Sequence, residues 1–202
     1  MGLTTAKGPD VLEEEYQPRR SLPAHLRPAV APLPVFEYSI RDAVPEDLPH
    51  VREIYNHYVL NSMVTFDEKP TTLAAMQRKF ARAQKAKMPF IVAVSPNDII
   101  LGYAFVAPWK EKAAYRYTVE NAIYLGPAST GKGLGNALMK ELLTRAKAAG
   151  AREVIAVIAD KGAEGSIALH TKYGFKEIGR MGRVGFKFGR WLGTVLMQKS
   201  LK

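Results

Sequence analysis

The chain contains no cysteine. That excludes a disulfide scaffold, a thiolate nucleophile and a thiolate metal site, and it suits a cytoplasmic setting. Long apolar runs are also missing, since each apolar stretch ends in Gly, Pro or charge before it could span a bilayer. Acidic residues are scarce, with 19 Asp and Glu against 29 Lys and Arg, for a net charge of +10. Such a balance favours anionic partners: nucleic acid, an anionic surface or a polyphosphate cofactor. No long Lys/Arg block occurs, and solvated helix faces account for most of the dispersed charges, a phosphate-rich ligand for the rest.

The 202 residues are enough for one well-buried domain with a short appendage. Residues 1–38 read as that appendage. They hold Glu13-Glu-Glu15 and five prolines from Pro18 to Pro34, with no sustained helical period. A loosely ordered N-terminal extension is expected, without the basic start and apolar core of a secretory signal. It carries a net −1, so residues 39–202 carry +11, with 25 basic and 14 acidic side chains.

From there the pattern tightens. Phe36 to Arg41 is strand-like, and Leu48, Val51, Ile54, Tyr55 and Tyr58 recur at helical spacing. A second helix is predicted from Thr72 to Lys85. A β-hairpin follows, with strands at Phe90–Ser95 and Ile99–Val106. Pro108 to Tyr117 is a loop rich in aromatic and basic residues, and Val119 to Leu125 is a strand. A helix striped by Leu134, Leu138, Met139, Leu142, Leu143 and Ala146 runs to Gly150. Val154 to Ala159 is unbroken apolar, the mark of a central strand buried on both faces. A short helix at Gly165–Lys172 and strands after Gly174-Phe175 and at Thr194–Gln198 close the chain. The order implies a single α/β (α+β) domain, a mixed sheet with helices on its faces.

The strand ending at Leu125 runs into Gly126-Pro-Ala-Ser-Thr-Gly131-Lys-Gly-Leu-Gly135. Bare backbone N–H groups where a strand becomes a helix cradle phosphate. This stretch satisfies all but the last place of G-x-x-x-x-G-K-[ST], the nucleotide-binding P-loop. Asp160, after an apolar strand, sits where a magnesium-holding Asp would follow. Gly133 decides against that reading, because it stands where a hydroxyl would bind the metal.

The alternative is the pyrophosphate loop [Q/R]-x-x-G-x-[G/A]. Thr130-Gly-Lys-Gly133-Leu-Gly135 fits it at both glycines and departs at Thr130. Ser166-Ile-Ala-Leu-His-Thr-Lys-Tyr-Gly-Phe175 adds a late helix-to-strand signature. With these motifs and its order of elements, the chain resembles the GNAT N-acetyltransferases. The blocks Asn56-His-Tyr58, Thr65-Phe66, Pro108-Trp-Lys110, Thr118-Val-Glu120, Leu169-His170 and Gly185-Phe-Lys-Phe-Gly-Arg-Trp191 resemble the phosphinothricin acetyltransferase subgroup. The resemblance covers residues 39–202 and implies a GNAT-type domain with a mostly antiparallel mixed sheet. It also implies acetyl-CoA as cosubstrate, no metal, no nucleic-acid or membrane partner, and a homodimer.

Acetyl transfer to an amine asks for an unprotonated amine beside a thioester carbonyl, hence a base. Glu120 interrupts an apolar strand just before the loop, where burial would raise its pKa; a solvent-facing Glu is the alternative. The subgroup places its proposed catalytic Glu here and a His at His170. Acid toward sulfur, base toward the amine, substrate contact and simple packing all stay open for that His. The resemblance further implies that Ala122, Ile123 and Tyr124 pair with the pantetheine arm. Thr130, Gly131, Lys132, Gly133, Leu134, Gly135 and Asn136 would hold the pyrophosphate. Ala163 stands near a position where relatives carry a cofactor-contacting Asn. Phe66, Trp109, Lys110, Lys112, Tyr115 and Arg116 are expected on the acceptor, with Lys187 and Arg190 as further contributors. The acceptor is expected to be a small amino-acid analogue bearing an acidic group; a protein or peptide amine is the alternative within the fold.

Overall fold

The structure, a computed structural model, describes residues 36–202, which form one compact unit. The expected arm therefore lies, but for its last three residues, outside the described residues. Strand β1 (Ser39–Asp42) leads through a 3₁₀ turn at Pro45–Asp47 into α1 (Leu48–Asn61). Asp47 fixes that turn, taking Arg41 in two bonds of 2.6 and 2.8 Å and the Val44 N–H at 2.8 Å. Helix α2 (Leu73–Lys85) begins one residue later than expected, because Thr72 is its cap: Thr72 Oγ1 accepts the Ala75 N–H at 3.2 Å.

The hairpin of β2 (Phe90–Val94) and β3 (Ile100–Pro108) is followed by β4 (Thr118–Leu125), α3 (Leu134–Ala148) and β5 (Glu153–Ala159). Then come α4 (Glu164–Lys172), β6 (Lys176–Lys187) and β7 (Arg190–Ser200). The seven strands form one sheet in the order β1-β2-β3-β4-β5-β7-β6. Among the described residues β4 and β5 are the one parallel pair. Helices cover both faces. Leu134, Leu138, Met139 and Leu142 of α3 pack on one, and Val51, Val59, Met76 and Phe80 of α1 and α2 on the other.

Two glycine stops show how local sequence shapes this frame. At the end of α3, Gly150 takes φ +93°, its N–H bonds Lys147 O at 3.0 Å, and Ala151 N–H bonds Ala146 O at 3.0 Å. At the end of α4, Gly174 takes φ +79° with the same pair of bonds, to Thr171 O at 2.9 Å and His170 O at 3.0 Å. Both are Schellman caps, and in the second the following Phe175 is buried against its own helix. The Gly-Phe signature in the sequence is this cap.

One expectation fails instructively. β5 is not buried on both faces, since Val157 is 37% exposed. The parallel pairing of β4 with β5 covers only Thr118–Glu120 against Glu153–Ile155, after which the strands separate. An apolar run does not reveal that its neighbour leaves it halfway along. No helix among the described residues is long and apolar enough to cross a membrane.

Candidate active site

The separation of β4 from β5 opens a cleft of about 720 Å³ in the middle of the sheet. Past Glu120 the strand β4 stays paired with β3 on one side, through Leu125 opposite Gly102, while its other edge faces the cleft. An open strand edge offers N–H and C=O groups to an extended, amide-bearing ligand. Tyr58 closes the far end by donating its hydroxyl to Leu125 O at 2.7 Å.

The glycine loop forms the floor. Gly131 and Gly133 take φ +72° and +81°, and Gly133 is the residue from which α3 starts. A Cβ at either position would meet nothing within 4 Å, so the glycines serve conformation and bare backbone rather than close packing. Leu134, Gly135 and Asn136 line the cleft; the Asn136 N–H bonds Gly133 O at 3.0 Å, while those of Leu134 and Gly135, first in α3, have no partner within the helix. Asn136 also brings a buried side-chain oxygen with no partner among the described residues. All the residues expected on the cofactor line this cleft except Lys132. Its ammonium lies 4.7 Å from the Phe36 ring centroid instead, a surface cation–π contact. Thr130 turns its hydroxyl onto Pro127 O at 3.1 Å, so its contribution to the cleft is backbone. Ala163 lines the cleft at the start of α4 with no capping side chain.

Glu120 stands where this cleft meets a second cavity of about 350 Å³ on the α1/α2 side, and lines both. Burial pushes its pKa above the ordinary carboxylate value, with Lys110 and then Lys79 pulling the other way. A carboxylate in that balance is more basic than one in water.

His170 is buried in the other wall. Its Nδ1 lies 2.8 Å from Ser166 O and its Nε2 lies 2.9 Å from Asn121 Nδ2. A carbonyl oxygen only accepts, so Nδ1 carries the proton and Nε2 accepts from the Asn121 amide. Burial lowers the imidazole pKa, against the opposing pull of the Ser166 carbonyl, which keeps the ring neutral. Phe175 packs edge-on at 4.8 Å between centroids. Because the folded pKa is depressed, this His contributes stability above the ordinary value of 6.5 that is lost as pH falls through the folded value. Urea midpoints are therefore expected to drop on acidification below about 6.5, and His170→Gln is expected to flatten that part of the profile. An equal acid slope in the variant would contradict the assignment.

The acceptor residues expected from the sequence are not gathered here. Trp109, Lys110, Lys112, Tyr115 and Arg116 line neither cavity. Lys110 and Arg116 lie over the rings of Trp109 and Tyr117 at 4.7 Å, on an exposed loop with a 3₁₀ turn at Ala113–Tyr115. Of these, Lys110 alone acts on Glu120, through its charge. Phe66 packs over Gly185, where a Cβ would come within 2.5 Å of its ring. Lys187 is 2% exposed and donates to Ser62 O and Thr65 O at 2.9 and 2.8 Å, pinning the β6–β7 hairpin to the α1–α2 connection. Arg190 pairs with Lys187 across the turn of that hairpin. Asp160 ties the end of β5 to β7. Its Oδ1 accepts the Gly193 N–H at 2.9 Å, and its own N–H bonds Gly193 O at 3.0 Å.

Sequence reasoning missed Asn121, Lys79 and Tyr58. Lys79 had a signal, since it follows Met76 by three and borders Phe80 on the buried stripe of α2. Tyr173 packs against the core, and its hydroxyl donates to Asn136 O at 2.6 Å. That bond ties the end of α4 to the first turn of α3.

Comparison with known proteins agrees with this geometry. Residues 40–196 match the family described as "Acetyltransferase (GNAT) domain". The chain is 40% identical to an L-methionine sulfoximine/L-methionine sulfone acetyltransferase of Pseudomonas paraeruginosa, over 81% of this chain and 94% of that one. It is 36% identical to a phosphinothricin N-acetyltransferase of Alcaligenes faecalis, over 81% and 82% respectively. A crystal structure of a phosphinothricin acetyltransferase from Sinorhizobium meliloti in complex with acetyl-CoA superposes with TM-score 0.77 at 43% identity, covering 81% of this chain and 88% of that one.

Proposed function

The chain belongs to the GNAT acetyltransferase family, and from that premise we propose that it moves the acetyl group of acetyl-CoA onto the α-amino group of a small amino-acid analogue by direct attack. The observation that carries this reading is the place of Glu120, at the junction of a pantetheine-sized cleft and a smaller chamber. The family domain is taken as 39–202, with 1–38 as an extension to it. Acetyl-CoA enters as cosubstrate, as in the related Sinorhizobium enzyme. The acceptor class follows the acetyltransferases of phosphinothricin and of methionine sulfoximine or sulfone to which the chain is similar.

Glu120 acts as the general base. It takes a proton from the ammonium of the acceptor, directly or through one water. The free amine attacks the thioester carbonyl carbon, the new C–N bond forms, and the C–S bond breaks as the thiolate leaves. The N-acetyl product sheds its second amine proton, which balances the protonation of the thiolate. Open N–H groups on the edge of β4 can hold the pantetheine amides, and the first turn of α3 the pyrophosphate. His170 we read as a positioning residue. With Nε2 already accepting from Asn121, the neutral ring has no proton there to give to sulfur. It fixes the residue next to Glu120 on β4.

A homodimer fits the apolar side chains left exposed on β6 and the hairpin turn, among them Ile178, Val184, Phe186 and Phe188. Burying such a strip is favourable, and light scattering on the purified chain tests it, a monomeric mass at micromolar concentration being the contrary result. The reaction itself is tested by release of free thiol from acetyl-CoA. The panel is phosphinothricin, methionine sulfone, methionine sulfoximine and ordinary amino acids. Turnover of at least one amino-acid analogue is expected. Silence across the panel with coenzyme A binding intact would overturn the acceptor class.

A further inference from the structure

The glycine loop brings almost no side chain to an anion. The Thr130 hydroxyl is turned onto Pro127 O, the Lys132 ammonium lies over the Phe36 ring, and Leu134 is buried in the core. The other three residues of 130–135 are glycines. What the loop offers is therefore backbone N–H, including the unpartnered groups of Leu134 and Gly135. A lysine can swing to meet a phosphate, but a backbone donor cannot. Hydrogen bonds weaken steeply with misalignment, so such a cradle works only as well as its turn is held in place.

The loop itself holds that turn weakly. Gly126 N–H bonds Leu101 O at 2.8 Å and Ser129 N–H bonds Gly126 O at 2.8 Å, which anchors the start of the loop to β3. Among the described residues, no backbone–backbone bond then joins residues 130–135 to another element. The brace comes from α4. A Leu169 methyl lies against Gly135, 3.5 Å from where a Cβ would stand, an apolar contact without direction. The Tyr173 hydroxyl supplies the directional one, donating to Asn136 O at 2.6 Å. That carbonyl belongs to the helical ladder of α3, and its second lone pair takes the phenol.

Tyr173 is itself well anchored. Its N–H bonds Leu169 O and His170 O at 3.2 and 3.0 Å, the glycine cap follows at Gly174, and Phe175 is buried beyond it. One turn earlier on the same helix, His170 holds Asn121 of β4. Helix α4 thus grips the strand edge at one residue and the first turn of α3 at another, and sets the spacing between the two halves of the cleft.

On the acetyl-transfer reading above, we infer that Tyr173 is a positioning residue for the cofactor. Through Asn136 O it fixes the first turn of α3, and with it the N–H groups that meet the pyrophosphate of coenzyme A. The phenol does not touch the cofactor, since Tyr173 lines neither cavity. A tyrosine that served only to pack would owe its effect to the ring and not to the hydroxyl.

Tyr173→Phe keeps the ring and removes the hydroxyl. Calorimetry is expected to show coenzyme A binding weakened by about 3- to 10-fold, the size of one hydrogen bond. The KM for acetyl-CoA should rise with it while kcat holds within about twofold. S-acetylpantetheine carries the pantetheine arm without the pyrophosphate, so it separates a displaced cradle from general loosening. The ratio of kcat/KM for acetyl-CoA over S-acetylpantetheine is expected to fall by about 3- to 10-fold in the variant. An unchanged coenzyme A affinity, or equal losses on both donors, overturns the inference while the acetyl-transfer reading stands. Absence of turnover with every acceptor overturns that reading instead. Coenzyme A affinity then decides the inference alone, a weakened value in Tyr173→Phe supporting it and an unchanged one overturning it.

Discussion

Replacing Glu120 by Gln is expected to lower kcat/KM for acetyl transfer by about 10²- to 10⁴-fold, the usual contribution of a positioned general base. The loss should fall on kcat, since the variant keeps the shape of the cleft and removes only the proton acceptor. The pH profile carries a second signature. Glu120 must be ionised to act, and burial holds its pKa above the ordinary 4.5 despite Lys110 and Lys79. The acid limb of kcat/KM is therefore expected above pH 4.5, and Lys79→Met is expected to move it higher still by removing an opposing charge. Stability moves in the opposite sense from activity. A carboxyl whose folded pKa is raised contributes stability at low pH that is lost as pH rises through the folded value. At neutral pH the neutral Gln is accordingly expected to be no less stable than Glu. A variant that kept activity within tenfold, or lost it only by unfolding, would remove Glu120 from the role of base.

The second large effect is expected at Gly133. Its φ of +81° lies in the left-handed region, and it begins α3 beside the open cleft. A β-branched residue there is strained, at a cost of roughly 1–2 kcal/mol or more, and its side chain stands where the pyrophosphate would approach the helix N-terminus. Gly133→Val is expected to weaken coenzyme A binding by about 10- to 100-fold through strain and obstruction together. Gly150 provides the control. Its φ of +93° imposes the same strain at the other end of the same helix, and it lines neither cavity. Gly150→Val should cost stability while leaving coenzyme A affinity measured by calorimetry unaffected. If the two variants behaved alike in binding, the loop would be a structural turn and no cradle.

These two residues mark how differently parts of the site could be read. The glycine loop was legible because its chemistry is local: a run of glycines between a strand and a helix has few other uses. Gly150 and Gly174-Phe175 were legible for the same reason, since a helix cap is written within six residues. Glu120 was legible as an acid in an apolar strand, and the helices as stripes of period 3.6. The cationic loop at 109–116 lines neither cavity, and composition says which charges exist but nothing about which way a loop faces. Lys79 and the loop cations look alike in sequence. What distinguishes them is that Lys79 lines a cavity with Glu120, while Lys110 of the loop acts on Glu120 through its charge alone.

The sequence by itself determined the elements, their order, the family and the glycine turn before α3, all of which are written in residues near in the chain. Only the tertiary structure decided that β4 and β5 separate after three paired residues, which exposes Val157 and makes the cleft. It alone joined Asn121 to His170, 49 residues away, and settled which ring nitrogen carries the proton. It alone set Lys79 of α2 beside Glu120 of β4, lining one cavity. Each of these follows from the meeting of surfaces that are distant in sequence, where burial and the partner across the gap, and not the residue type, set charge and reactivity.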